Sequence, residues 1–181
     1  MVINLDGNAV GLGRGALHAL RQSVLQDRGE QAATRLQEAG QAGGADLYAC
    51  FQRWLREQMG VDDPGTIGAA ALGSVLSEFF YALGWGRITI DRVGAGLAID
   101  TMEWVEAEPN TNAAYPSCFL SAGFLADFMG RLANRPLVAM EVECRSCNQP
   151  RCRFLVGSPE MIEAVYQAVS EGRDYLSATS S

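Results

Sequence analysis

Imidazole is almost missing from this chain: among 181 residues there is one histidine, His18. Histidine-based acid/base catalysis and Ser-His-Asp triads therefore have almost no material to work with. Long apolar runs are missing too, since none approaches the ~20 residues of a membrane span. The opening Met1-Val-Ile-Asn-Leu-Asp6 has neither the basic start nor the apolar stretch of a secretory leader, so the expected compartment is the cytoplasm, where cysteines stay reduced. Positive charge is scarce. The net charge is −7 and the pI near 4.7, and basic residues gather only at Arg145, Arg151 and Arg153. Direct nucleic-acid binding is not expected of such a chain. Nor is a phosphate cradle complete: no Gly-Lys-Ser/Thr follows Gly11-Leu-Gly-Arg-Gly15, and the Rossmann pattern is broken.

What is present suffices for one globular unit. The hydrophobic fraction is 48% and the mean hydropathy +0.01, enough to bury a core without disulfides, and no linker or repeat divides residues 1–181. A helical part is expected over about 11–60. It begins with an amphipathic helix carrying Leu17, Leu20, Val24 and Leu25, continues with a helix over 30–39 that stops at Gly40, and ends with a third over 46–59 bearing Leu47, Cys50, Phe51, Trp54 and Leu55. His18 is expected at the surface or an interface. After the break Asp62-Asp-Pro-Gly65, a long apolar helix over 67–83 leads to the hairpin 87–93 and 97–104, turned at Gly94-Ala-Gly96. An exposed acidic loop over 106–112 precedes a helix over 120–132 with Ser117 as its N-cap. Strands 136–144 and 151–156 form a second hairpin, and Ser158-Pro-Glu160 opens a last helix to about 171, with disorder expected over 177–181. The order predicts an α+β fold, an antiparallel sheet of two hairpins with helices packed on one side. The N-terminal helices, through Leu17, Leu20, Leu25, Phe51, Trp54 and Leu55, are expected to form a homodimer surface.

The chemistry concentrates near the second hairpin. Cys144 closes its first strand, Cys152 opens its second, and Cys118 sits at a helix start, where a thiolate is stabilised. Three such thiols point to a soft divalent metal, zinc above all. The fourth ligand stays open. Strand alternation puts Glu141 and Glu143 on one face and Cys144 on the other, so Glu141 joins Cys144 only if the strand bulges near its end. Glu143 and Cys147 are the other candidates. Cys144 and Cys147 make a Cys-x-x-Cys pair, but in a hairpin loop, whereas a redox pair opens a helix after a strand.

Gly123-Phe-Leu-Ala-Asp-Phe-Met-Gly130, Glu141-Val-Glu-Cys-Arg145 and Pro150-Arg-Cys-Arg-Phe154 together resemble the 4-vinyl reductase domain family over about 72–156, and Gly29-Glu30 and Glu38-Ala-Gly40 resemble the helices that precede it. The resemblance implies the α+β fold of TRAPP vesicle-tethering subunits. It also implies kinship with the sensor domains of phenol-responsive transcription activators and with an accessory protein of bacteriochlorophyll synthesis. In the sensor branch zinc is held by residues matching Cys118, Glu141, Cys144 and Cys152, which resolves the fourth ligand to Glu141, and a buried aromatic ligand touches a tryptophan matching Trp104. That branch's pocket histidine has no counterpart here, and the haem-sensor pattern is missing. A more apolar ligand than phenol is implied, between the long helix and the sheet, with Phe79, Phe80, Trp85, Trp104, Tyr115, Phe119 and Phe124 as candidate contacts.

The function expected is a non-enzymatic sensor or carrier domain with structural zinc and a small hydrophobic ligand, read by a separate partner. Two alternatives are carried: a part in vinyl reduction during (bacterio)chlorophyll synthesis, for which no nicotinamide or flavin signature is found, and a TRAPP-like assembly role.

Overall fold

The structure, a computed structural model, describes residues 10–180. The opening 1–6 and the final Ser181 of the expected tail lie outside the described residues. Two helices, α1 (Arg14–Arg28) and α2 (Ala32–Met59), are followed by α3 (Ala69–Ala82), the hairpin β1 (Thr89–Val93) and β2 (Gly96–Thr101), and α4 (Phe119–Leu132). A second hairpin, β3 (Val138–Glu143) and β4 (Cys152–Gly157), leads into α5 (Pro159–Ser170). The α+β class is as expected. The two hairpins join through their inner strands into one antiparallel sheet of order β1-β2-β4-β3.

Period-two alternation sends side chains to both faces of this sheet. Ile99, Phe154, Val156 and Ala139 meet Phe51, Phe79, Phe80 and Phe128 of α2, α3 and α4. Ala98 and Leu155 face the other way, onto Ile162, Val165 and Ala168 of α5. The sheet is therefore covered on both sides rather than one. Ser158 caps α5 by accepting from the Met161 amide, with Pro159 at the first helical position.

Two helices expected over 30–39 and 46–59 are one continuous helix. Gly40 does not end α2, because it is where α4 crosses: a Cβ at Gly40 would lie 2.0 Å from the Leu120 carbonyl oxygen, and one at Gly123 would lie 2.1 Å from that of Gln37. Tertiary contact at bare backbone outweighs the poor helix propensity of glycine. Phe51, Trp54 and Leu55, expected at a dimer surface, point inward and are at most 5% exposed. Of that set, Leu20 on α1 remains 60% exposed.

The tail is ordered as far as it is described. Residues Tyr175–Ala178 form a 3-10 turn, Ala178 and Thr179 are buried, and the Thr179 carbonyl accepts from the Ala95 amide at 2.8 Å. The expected disorder over 177–181 is thus corrected for residues 177–180.

Candidate metal centre and its surroundings

One ligand atom from each of Cys118, Glu141, Cys144 and Cys152 lies within 4.8 Å of every other, and all four residues are buried. A β-bulge brings them together. Glu141 pairs with Phe154 while Glu143 pairs with Arg153, so Val142 is an extra residue in β3. The bulge resets the alternation: Glu141 and Cys144 share the helix-side face, while Glu143 turns to the opposite face, where Arg151 Nε meets it at 2.9 Å.

Cys118 occupies the N-cap position of α4. Ser117, the expected cap, is instead spent on Arg21, whose Nη2 donates to its carbonyl at 2.9 Å and to its hydroxyl. Two buried glutamates from outside the helix satisfy the first amides of α4. The Cys118 amide donates to Glu141 Oε2 at 2.8 Å, and the amides of Leu120 and Ser121 donate to Glu106 at 3.2 and 2.8 Å.

The donor set fits zinc. Cys118 Sγ and Cys144 Sγ stand 3.8 Å apart, too far for a disulfide, and none of the five cysteines is disulfide-bonded. A tetrahedral ion with Zn–S bonds of about 2.3 Å holds its sulfurs at about this spacing. Glu141 Oε1 is buried with no hydrogen-bond partner, an orphan acceptor aimed at the cluster. Four anionic groups cannot share this space without a cation. Cys144 is held far below the usual thiol range by hydrogen bonds from Cys118 and Cys152, while the Cys118 thiol is pushed up by its bond to Cys144. Burial and then the Cys144 charge raise Glu141 well above the carboxylate range. Cys147 is half-buried in the turn Arg145–Cys147, and burial, then the Cys144 charge, push its thiol up to about 11. This is the reverse of an activated redox thiol.

Five of the seven expected ligand contacts form one aromatic cluster. Trp85 packs on Phe124 at 4.6 Å and on Trp104 at 5.5 Å, and Phe80 touches Phe79, Trp104 and Phe124 at 5.5 to 6.3 Å. Trp104 also meets Phe154, two residues beyond Cys152, at 5.9 Å. Tyr115 and Phe119 stand apart as a pair 6.5 Å from each other, and Tyr115 is 61% exposed. The C-terminal half of α3 is thus packed against the sheet by the rings of Phe79 and Phe80. Its N-terminal half leaves a groove of about 570 Å³ against β1 and β2, lined by Leu72, Gly73, Ile90 and Leu97 but by none of the seven aromatics. Trp85 faces a different groove, between α2 and the end of α3.

Residues that the sequence did not single out tie this region together. Glu106, expected in an exposed loop, is fully buried; it accepts from Ser121 Oγ, which accepts from Trp104 Nε1 at 2.7 Å. Arg21 Nε lies 3.5 Å from Glu106, and its Nη1 donates to Glu108 at 3.2 Å. His18 is likewise an internal contact, its Nε2 lying 2.7 Å from the Val105 carbonyl oxygen. One signal existed in the sequence: Arg21 falls four residues from both Leu17 and Leu25, on the apolar stripe of α1, where a cation needs a partner.

Residues 102–158 match the family model of the 4-vinyl reductase domain. The match spans all four cluster residues, whereas the expected resemblance reached back to about residue 72. No curated protein sequence matches the chain. The phenol-responsive sensory domain of the transcription activator PoxR, solved with phenol, superposes with a TM-score of 0.63 at 18% identity, over 92% of this chain and 84% of that one. A trafficking protein particle complex subunit 3 from Naegleria fowleri, covalently bound to palmitic acid, gives 0.61 at 13% identity, over 80% and 91%. The chain thus resembles the 4-vinyl reductase domain across its cysteine hairpin and shares the fold of a sensory domain and of a trafficking-complex subunit.

Proposed function

We propose that the chain is a zinc-containing module that binds a small hydrophobic or aromatic molecule, as a sensor or carrier and not as an enzyme. The observation that carries this reading is the buried convergence of Cys118, Glu141, Cys144 and Cys152. Zinc bound there would be a structural cross-link between the start of α4 and the second hairpin, since three thiolates and a carboxylate fill a tetrahedral shell and leave no position for an activated water. The cross-link backs the aromatic cluster, because Phe154 on β4 lies against Trp104. Of that cluster, Trp85 is only half-buried and gives a ligand ring something to stack on.

The fold shared with a phenol-responsive sensory domain supports a sensor. A reductase role, which the family match leaves open, lacks a nicotinamide or flavin signature in the sequence. Metal analysis of untagged protein, beside Cys144→Ser and Cys147→Ser, tests the reading. We expect about one zinc per chain, lost in the first variant and kept in the second. Native protein without metal, or equal loss in both variants, contradicts it.

A further inference from the structure

The groove that Trp85 faces has a volume of about 650 Å³, within the ~300–1,000 Å³ range of small-molecule sites. Its walls come from four elements. Leu47 and Cys50 lie on one stripe of α2, Leu83 and Trp85 follow the end of α3, and Leu17 of α1 and Leu120 of α4 close the sides. The Trp85 ring at its floor is braced from behind by Phe124 and Trp104, so it offers a preformed stacking surface with little conformational entropy left to lose.

Charge decides what enters. Neither arginine, lysine nor histidine is among the lining residues, and the one ionisable carboxylate there is Asp46, exposed on α2 one residue before Leu47. An anionic ligand would give up hydration against apolar walls and meet a like charge, with no lining cation to compensate. A neutral molecule avoids both costs, and a cationic one gains from Asp46 and from the indole face.

We propose that this groove binds an uncharged or cationic aromatic molecule and discriminates against carboxylates and sulfonates of the same size. The inference rests on the small-molecule reading above, to which it adds a place and a charge class.

A matched pair of probes tests it: N-phenyl-1-naphthylamine and 1-anilinonaphthalene-8-sulfonate share one ring system and differ by a sulfonate. In fluorescence titrations of the full, metal-loaded chain, the neutral probe should bind at least about tenfold more tightly than the sulfonate. Leu47→Arg should weaken the neutral probe by about tenfold or more, and Asp46→Arg, on the exposed side of the helix, should bring the two probes to within about threefold. Ser74→Arg, in the separate groove beside β1, should change neither. Zinc content serves as the folding control for every variant. Equal affinities in the native protein, or preference for the sulfonate, overturn the charge class. A neutral probe that binds but ignores Leu47→Arg overturns the place while leaving the small-molecule reading intact. Binding of neither probe removes the groove and the ligand half of the proposed function together, with the metal assignment still standing on its own measurement.

Discussion

Glu106 shows how a single side chain organises the region around the metal cluster. Burial pushes its carboxyl above the ordinary value of 4.5, against the pull of its hydrogen bonds from Ser121 and the charge of Arg21. A group whose folded pKa is raised contributes stability that is fully present below its unfolded value and is lost as pH rises through the folded one. Arg21 limits that loss. Removing it as Arg21→Met leaves the Glu106 carboxylate buried with only helix amides and a hydroxyl for company, so we expect a cost of about 3–5 kcal/mol at neutral pH. The deficit should shrink as the carboxyl takes up its proton on acidification toward pH 4.5. Urea unfolding at several pH values reads both effects; a variant as stable as the parent at neutral pH would show that the ion pair is not needed. None of this was visible in the stretch 106–112, whose acidity reads as solvation. The ligand question, by contrast, was legible up to one choice. Alternation left Glu141 in competition with Glu143 and Cys147, because a bulge is a property of the pairing with β4 and not of the β3 sequence.

At the level of elements, the hairpins, the capped α5 and the order of strands and helices were legible, because each has a local signal: alternation, turn residues, a Ser-Pro start. The continuity of α2 was not, since the glycines at 40, 43 and 44 carry the mark of a helix stop. The structure separates their roles. Gly40 is held against the Leu120 carbonyl of α4, whereas a Cβ at Gly43 would meet nothing within 4 Å. Gly40→Ala should therefore cost about 1–3 kcal/mol through overpacking, while Gly43→Ala should stabilise by about 0.5–1 kcal/mol through helix propensity. Thermal unfolding of the two variants beside the parent makes the comparison. Equal effects would mean that α2 and α4 do not approach at bare backbone. The buried C-terminal turn was missed for a related reason: its anchors, Ala95 and Thr179, are joined by main-chain atoms whose partners no side-chain pattern announces.

Across the whole molecule, the sheet has a helix layer on each face, and the bulge in β3 sorts the charges between them. Glu143 joins Asp100, Arg151, Arg153 and Tyr175 on the α5 side, where Arg153 donates to both Asp100 oxygens at 2.7 Å. Glu141 goes to the helix side with the three thiols, next to the aromatic cluster and the Arg21–Glu106 pair that fixes α1. In this account zinc is what lets four anionic groups occupy one buried space, and its ligand set is three sulfurs and one oxygen. Zinc K-edge X-ray absorption on the native protein tests that most directly. The account predicts about three sulfurs at ~2.3 Å and about one oxygen near ~2.0–2.2 Å; a shell of four sulfurs, which would put Cys147 in place of Glu141, or a shell containing nitrogen, would contradict it.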